Sequence, residues 1–148
     1  SPRIESSAAS DVYKRQVQIE ANAGAGDHLP PVLVHLSEAA VSTSGDATQY
    51  FEINGERYSH IVSTRTGLGI SERIAASVIA PSATLSDAYA TTVALLGQKE
   101  GLQFIENKRE IECRIVALHN GQEVTVTSHG FSQFQEEELQ EKSSFTSP

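Results

Sequence analysis

The chain has 148 residues, 39% of them hydrophobic, 20% charged and 6% aromatic, with no Trp and no Met. That length suits one domain, and its core has to be built from Ala, Val, Ile and Leu. The formal net charge of −8 excludes a general nucleic-acid binder, which needs a basic surface, but leaves room for a local phosphate pocket. No apolar run approaches membrane-spanning length.

Residues 1–16 are polar and show neither helical nor strand periodicity. They are read as a disordered leader foreign to the domain, with no apolar core like that of a signal peptide. Val17-Gln18-Ile19-Glu20 alternates as a short strand, and Asn22 to Asp27 is a Gly/Ala/Asn loop. After Pro30-Pro31 comes a second strand, Val32 to Leu36. The run from Ala39 ends in Ser42-Thr43-Ser44-Gly45-Asp46, a small polar turn able to bring backbone close to a ligand.

Asn54-Gly55 separates two β-rich runs, Ala47–Ile53 and Glu56–Ser63. The dipeptide predicts a type I′ hairpin, and its second strand carries His60. Tyr58, His60 and Val62 alternate onto one face, Ser59, Ile61 and Ser63 onto the other. Arg65-Thr66-Gly67 follows as a turn. Ile74 to Ala80 is a further strand, stopped by Pro81. A helix is predicted from about Thr84 to Leu96, capped by Ser82 or Thr84 and ended by Gly97. A second covers Lys99 to Asn107. The last hairpin joins Cys113–Leu118 to Glu123–Ser128 through Asn120-Gly121. Residues 135–148 are acidic, then Ser-rich, and read as a solvated tail. The sum is an α+β domain over residues 17–134, with antiparallel hairpins packed against a helix pair.

Asp87 and Thr91 stand at i and i+4, on one face of the predicted helix. They offer one anionic and one neutral hard oxygen, the ligand type Mg²⁺ takes. The plain alternative is an acidic residue placed near a helix N-terminus for capping or for its dipole. His60 is a possible general base, or a packed strand histidine. Arg65 can fork onto phosphate, and Gly67 lets backbone come close. Glu106, Glu110, Glu112 and Glu136 to Glu138 read as solvent-facing charge. His28, His35, His119 and His129 have no metal-like spacing. Cys113, the lone cysteine, reads as buried and structural.

In their order, these pieces resemble the C-terminal part of the ApbE family, the FAD:protein FMN transferases. The motifs are Ser44-Gly45-Asp46, then Asn54 to Val62 with His60, then Arg65-Thr66-Gly67. Ser77 to Ser82 leads on to Asp87-Ala88-Tyr89-Ala90-Thr91, and Leu96-Gly97 precedes Glu100-Gly101-Leu102. The resemblance covers about Ala39 to Phe131 and implies a T-fold-related half-domain.

The resemblance also implies an activity. The family moves the FMN half of FAD onto a threonine of an acceptor flavoprotein, releasing AMP, with Mg²⁺. It maps the metal ligands onto Asp87 and Thr91 and the histidine implicated in catalysis onto His60. Ser44, Gly45, Arg65, Thr66 and Gly67 become the candidate ligand-binding positions. Family members are longer, and their N-terminal half supplies most of the flavin pocket and a backbone carbonyl to the metal. They are often periplasmic lipoproteins. The family pattern H-x-x-D-P-R-T-G is broken here, with Ser63 and Thr64 at the Asp and Pro positions. Two alternatives follow: hydrolysis of FAD to FMN and AMP, and non-catalytic flavin binding.

Overall fold

A computed structural model describes residues 15–20, 23, 30–45, 50–70 and 72–135. Their strands are β1 (Arg15–Ile19), β2 (Val32–Leu36), β3 (Ala40–Gly45), β4 (Tyr50–Ile53) and β5 (Glu56–Ser59). Then come β6 (Ile74–Ala80), the helix α1 (Ala83–Glu106), β7 (Glu112–His119) and β8 (Gln122–Thr127). A 3₁₀ turn, Phe131–Phe134, ends the described part. Strand β1 begins at Arg15, inside the expected leader, because Arg15 and Gln16 pair with Leu36 and His35. The remainder of that leader, Asn22, Asp27, His28, Asp46 and the tail beyond Gln135 lie outside the described residues.

Four antiparallel strands form the central sheet in the order β3-β6-β7-β8. Strand β6 is buried at all seven positions, so it carries an unbroken small and apolar run, Ile-Ala-Ala-Ser-Val-Ile-Ala. Alternation sends Ile74, Ala76, Val78 and Ala80 to the side covered by α1, with Cys113, Ile115 and Ala117 of β7. Ala75 and Ile79 face the other way, into a second core with Val116, Phe131 and the β1–β2 pair. Both hairpin turns take positive φ, 55° and 80° at Asn54-Gly55 and 51° and 80° at Asn120-Gly121, as Asn-Gly favours.

The predicted helix pair is present: α1 consists of two helical segments that meet at Gly97. Its N-cap is Ser82, whose side chain accepts from Leu85 N at 3.3 Å. Gly97 breaks it at φ 83° and ψ 174°, a conformation open to glycine alone. The second segment folds back on the first, since the rings of Tyr89 and Phe104 stand 5.7 Å apart. Lys108 Nζ lies over both rings, at 5.8 and 4.5 Å.

Three expectations need correction. Ser44 and Gly45 lie in β3, not in a turn. They pair with Ala76 and Ala75 of β6. The strand of the first hairpin stops at Ser59, and His60 sits in the bend after it. The inside-outside alternation persists: Ser59 and Ile61 are buried while His60 and Val62 are exposed. Hairpin β4–β5 is a separate sheet, and Phe51, Ile53, Val62 and Leu68 on this arm are each more than half exposed.

The third correction concerns Glu112, read as solvent-facing charge but only partly exposed, whereas Glu106 is exposed as expected. Glu112 accepts from Ser128 Oγ and from Gly130 N, the latter at 3.0 Å. Glu106 accepts from His129 Nδ1 at 2.7 Å and from His129 N at 3.0 Å. Together they pin the chain after β8, just before Phe131 enters the second core. Cys113 is buried as expected, and burial pushes its thiol up to about 12.

The Glu106 hydrogen bond raises the His129 pKa, and the same bond lowers that of Glu106. The pair's contribution is whole between the ordinary values of 4.5 and 6.5. It is lost as pH rises through the raised His129 value, or falls through the lowered Glu106 value. His129→Gln should therefore lower the urea midpoint in mildly acidic buffer and leave it unchanged in alkaline buffer. High salt should shrink the difference.

Candidate functional site at the junction of β3 and α1

Proline 81 ends β6, and α1 begins two residues later. This short connection returns the helix over β6, the strand it has just left, and over its neighbour β3. Ser42 and Ser44 project toward α1 from β3, while Thr43 turns to the opposite face and meets Ser77 Oγ at 2.8 Å. Ser42 Oγ lies 2.8 Å from Ser86 Oγ. Ser44 Oγ lies 3.1 Å from Thr91 Oγ1, joining residues 47 apart in sequence.

Asp87 is exposed and Thr91 is half-buried. Asp87 is no cap, because Ser82 fills that role and the first turn of α1 contains no acidic residue. The capping alternative weighed for it therefore fails. Spaced by one turn, Asp87 and Thr91 share a face. Leu95 continues that line about 6 Å further along the axis, at 1.5 Å per residue.

Leu95 opens onto a second region. Residues 59–70 form an irregular hairpin, with Ser59 N donating to Ile70 O at 3.0 Å and Ser63 N to Leu68 O at 2.9 Å. Its tip is closed by Gly67 N donating to Ser63 O at 2.8 Å. Arg65 N donates to Ser63 Oγ at 3.3 Å. The hairpin and the Gly97 bend enclose a cleft of about 680 Å³. Ser63, Arg65 and Thr66 line it with Arg57, Glu72 and Leu95.

The sequence candidates thus fall into two groups. Ser44 and Thr91 meet at the β3–α1 junction, with Gly45 next to Ser44 and Asp87 one helical turn before Thr91. Arg65, Thr66 and Gly67 belong to the hairpin tip, where Arg65 and Thr66 line the cleft. His60 is exposed at the base of the same hairpin and is not among the cleft-lining residues. Ser42 and Ser86 were not singled out from sequence, since serines carry no signal until a strand and a helix are known to touch. Among the described residues, no three His, Cys, Asp or Glu side chains gather as a metal cluster.

This arrangement has relatives. The family model described as the ApbE family matches residues 8–115. The chain belongs to the ApbE family. It is 30% identical over 122 residues to the FAD:protein FMN transferase of Haemophilus influenzae, covering 82% of this chain and 35% of that protein. The Vibrio cholerae FAD:protein FMN transferase is 32% identical over 90 residues, which is 60% of this chain and 27% of the relative. Among solved structures, the Pseudomonas stutzeri flavinyl transferase ApbE, in its apo form, superposes with a TM-score of 0.67 at 30% identity. That match covers 82% of this chain and 37% of the other. The Thermotoga maritima ApbE protein gives 0.65 at 25% identity, over 84% and 40% of the two chains. The chain therefore spans about a third of the length of the curated relatives it matches. The α+β architecture expected from sequence is the one these ApbE structures share.

Gly45 is where β3 reaches this junction, and it has no room for a side chain. An added Cβ would stand 2.6 Å from the Ile74 carbonyl oxygen. Backbone cannot yield as a flexible side chain can. Gly45→Ala should lower the unfolding free energy by about 1–3 kcal/mol, the usual range for overpacking. A urea titration measures it, and an unchanged midpoint would show that β3 and β6 can separate freely.

Proposed function

We propose that this chain is part of an enzyme that transfers FMN from FAD to a threonine hydroxyl of an acceptor flavoprotein. In this reading Asp87 and Thr91 hold Mg²⁺. The observation that carries it is the 3.1 Å contact between Ser44 and Thr91. That contact joins two family motifs distant in sequence and leaves the Asp87 carboxylate beside them, exposed and not used as a cap.

The donor chemistry fits the ion. Mg²⁺ is held by one or two carboxylates and keeps positions for water and substrate phosphates. Asp87 supplies the carboxylate and Thr91 a neutral oxygen. A partial shell of this kind needs no cluster of three acidic or imidazole groups. When bound, Mg²⁺ would offset negative charge on the FAD diphosphate.

The remaining roles belong to side chains of this chain. In the reaction, the acceptor threonine Oγ forms a bond to the FMN phosphorus. The bond from that phosphorus to the bridging oxygen breaks, and AMP leaves with the electron pair. The hydroxyl proton needs an acceptor, and imidazole is suited to that near neutral pH. His60 is the candidate, exposed at the base of the hairpin. Arg65 and Thr66, with backbone at Gly67, would bind phosphate or ribose oxygens from the cleft side. Ser44 and Gly45 would border the ligand at the β3 end.

A second reading is favoured by Ser63. The family carboxylate position is filled by a neutral hydroxyl, which accepts from Arg65 N. The turn keeps a side-chain acceptor and loses the charge, so the hairpin's shape survives without a base. A flavin-binding domain that does not turn over fits that pattern, as does an enzyme in which water replaces the acceptor threonine.

Three experiments separate these readings, each with the chain joined to the N-terminal half of an ApbE relative. With FAD, Mg²⁺ and a threonine-containing acceptor, Asp87→Ala should reduce transfer at least about a hundredfold, the scale of losing a charge-stabilising group. Equal transfer by the variant refutes the metal assignment. Ser63→Asp should raise transfer if decay of an enzyme explains the serine. FMN and AMP forming equally with and without acceptor would identify hydrolysis, and FAD binding without any product would identify the binding domain.

A further inference from the structure

The face of β3 behind Asp87 and Thr91 is lined with hydroxyl groups in matched pairs. Ser42 and Ser44 are two residues apart, so both point at α1. Ser42 meets Ser86 at 2.8 Å, and Ser44 meets Thr91 at 3.1 Å. Asp87 follows Ser86 directly, so the two contacts fall on either side of it along the helix.

The direction of the first bond can be worked out. Ser86 Oγ also lies 3.0 Å from the Ala83 carbonyl oxygen, which can only accept. A serine hydroxyl has one proton. That proton goes to Ala83, so Ser42 donates to Ser86. The first turns of α1 are thereby tied to β3 in a fixed register.

The direction of the second bond matters to any cation. A hydroxyl that ligates a cation gives it a lone pair, and its proton must find an acceptor elsewhere. Helix threonines usually bond a carbonyl one turn back, as Thr92 Oγ1 does with Ala88 O at 2.8 Å. Thr91 is turned instead to Ser44.

We propose that Ser44 is a positioning residue: it accepts the Thr91 proton and so presents a Thr91 lone pair to the cation beside Asp87. Ser42 and Ser86 hold the turn of helix that carries Asp87. This rests on the metal reading of Asp87 and Thr91. It gives Ser44 a role through Thr91, where the family resemblance suggests direct contact with the flavin ligand.

The test is Mn²⁺ binding in the presence of FAD to the same joined protein used for the transfer assay, read by electron paramagnetic resonance, with urea midpoints to follow the fold. Mn²⁺ is the probe in place of Mg²⁺. Ser44→Ala should weaken binding about tenfold, the lower end for loss of a group that orients a ligand. Ser44→Thr keeps the hydroxyl and should restore it. Asp87→Ala should lose binding altogether. If Ser44→Ala does not fold, Ser44→Cys replaces the hydroxyl by a weak acceptor and should show the same loss. Binding kept in the Ser44 variants but lost in Asp87→Ala overturns the positioning role and leaves the metal site standing. Binding kept in Asp87→Ala, or none in the unsubstituted chain, overturns both.

Discussion

The complete burial of β6 is the constraint from which the rest follows. A strand covered on both faces needs a layer on each side. One layer is α1, which begins two residues after Pro81 and so lies across β3 and β6. The other is the β1–β2 pair with Phe131. Because α1 is confined by this core, the residues on its β3-facing side have little freedom. Ser86 and Thr91 meet Ser42 and Ser44 for that reason. The exposed Asp87 lies between these two contacts along the helix.

Much of this was legible in the sequence. The two Asn-Gly turns, the Pro81 stop and the Gly97 break each have a local physical cause, and each lies where it was expected. Cys113 was also legible, as an apolar-flanked thiol without partners of its kind. Ser44-Gly45 was misread as a turn because small polar residues and glycine usually mark one. What decides otherwise is nonlocal. Ser44 and Gly45 pair with Ala76 and Ala75 on β6, and Gly45 has the Ile74 carbonyl where its Cβ would be. Glu112 was misread for the same reason, since its partners Ser128 and Gly130 lie across the β7–β8 hairpin.

The candidate site was legible as residues and not as an arrangement. Asp87 and Thr91 are recognisable by spacing, and Arg65 to Gly67 by type. Their division into a β3–α1 junction and a cleft by the Gly97 bend could not be read from spacing. Leu95, one turn beyond Thr91, links the two along α1. Ser63 shows why a motif can lose a charge and keep a shape. Its hydroxyl accepts from Arg65 N, as a carboxylate at that position could, so the turn places no demand on the charge.

Family membership accounts for the fold and for the order of the motifs. The central claim is narrower: that a divalent cation binds where Thr91 meets Ser44. Paramagnetic broadening of the amide NMR spectrum by substoichiometric Mn²⁺, in the presence of FAD, tests it most directly. The account predicts that the signals of Gly45, Asp87, Ala88 and Thr91 broaden first, with the hairpin around Arg65 following. Broadening centred elsewhere, or the same broadening after Asp87→Ala, would contradict it.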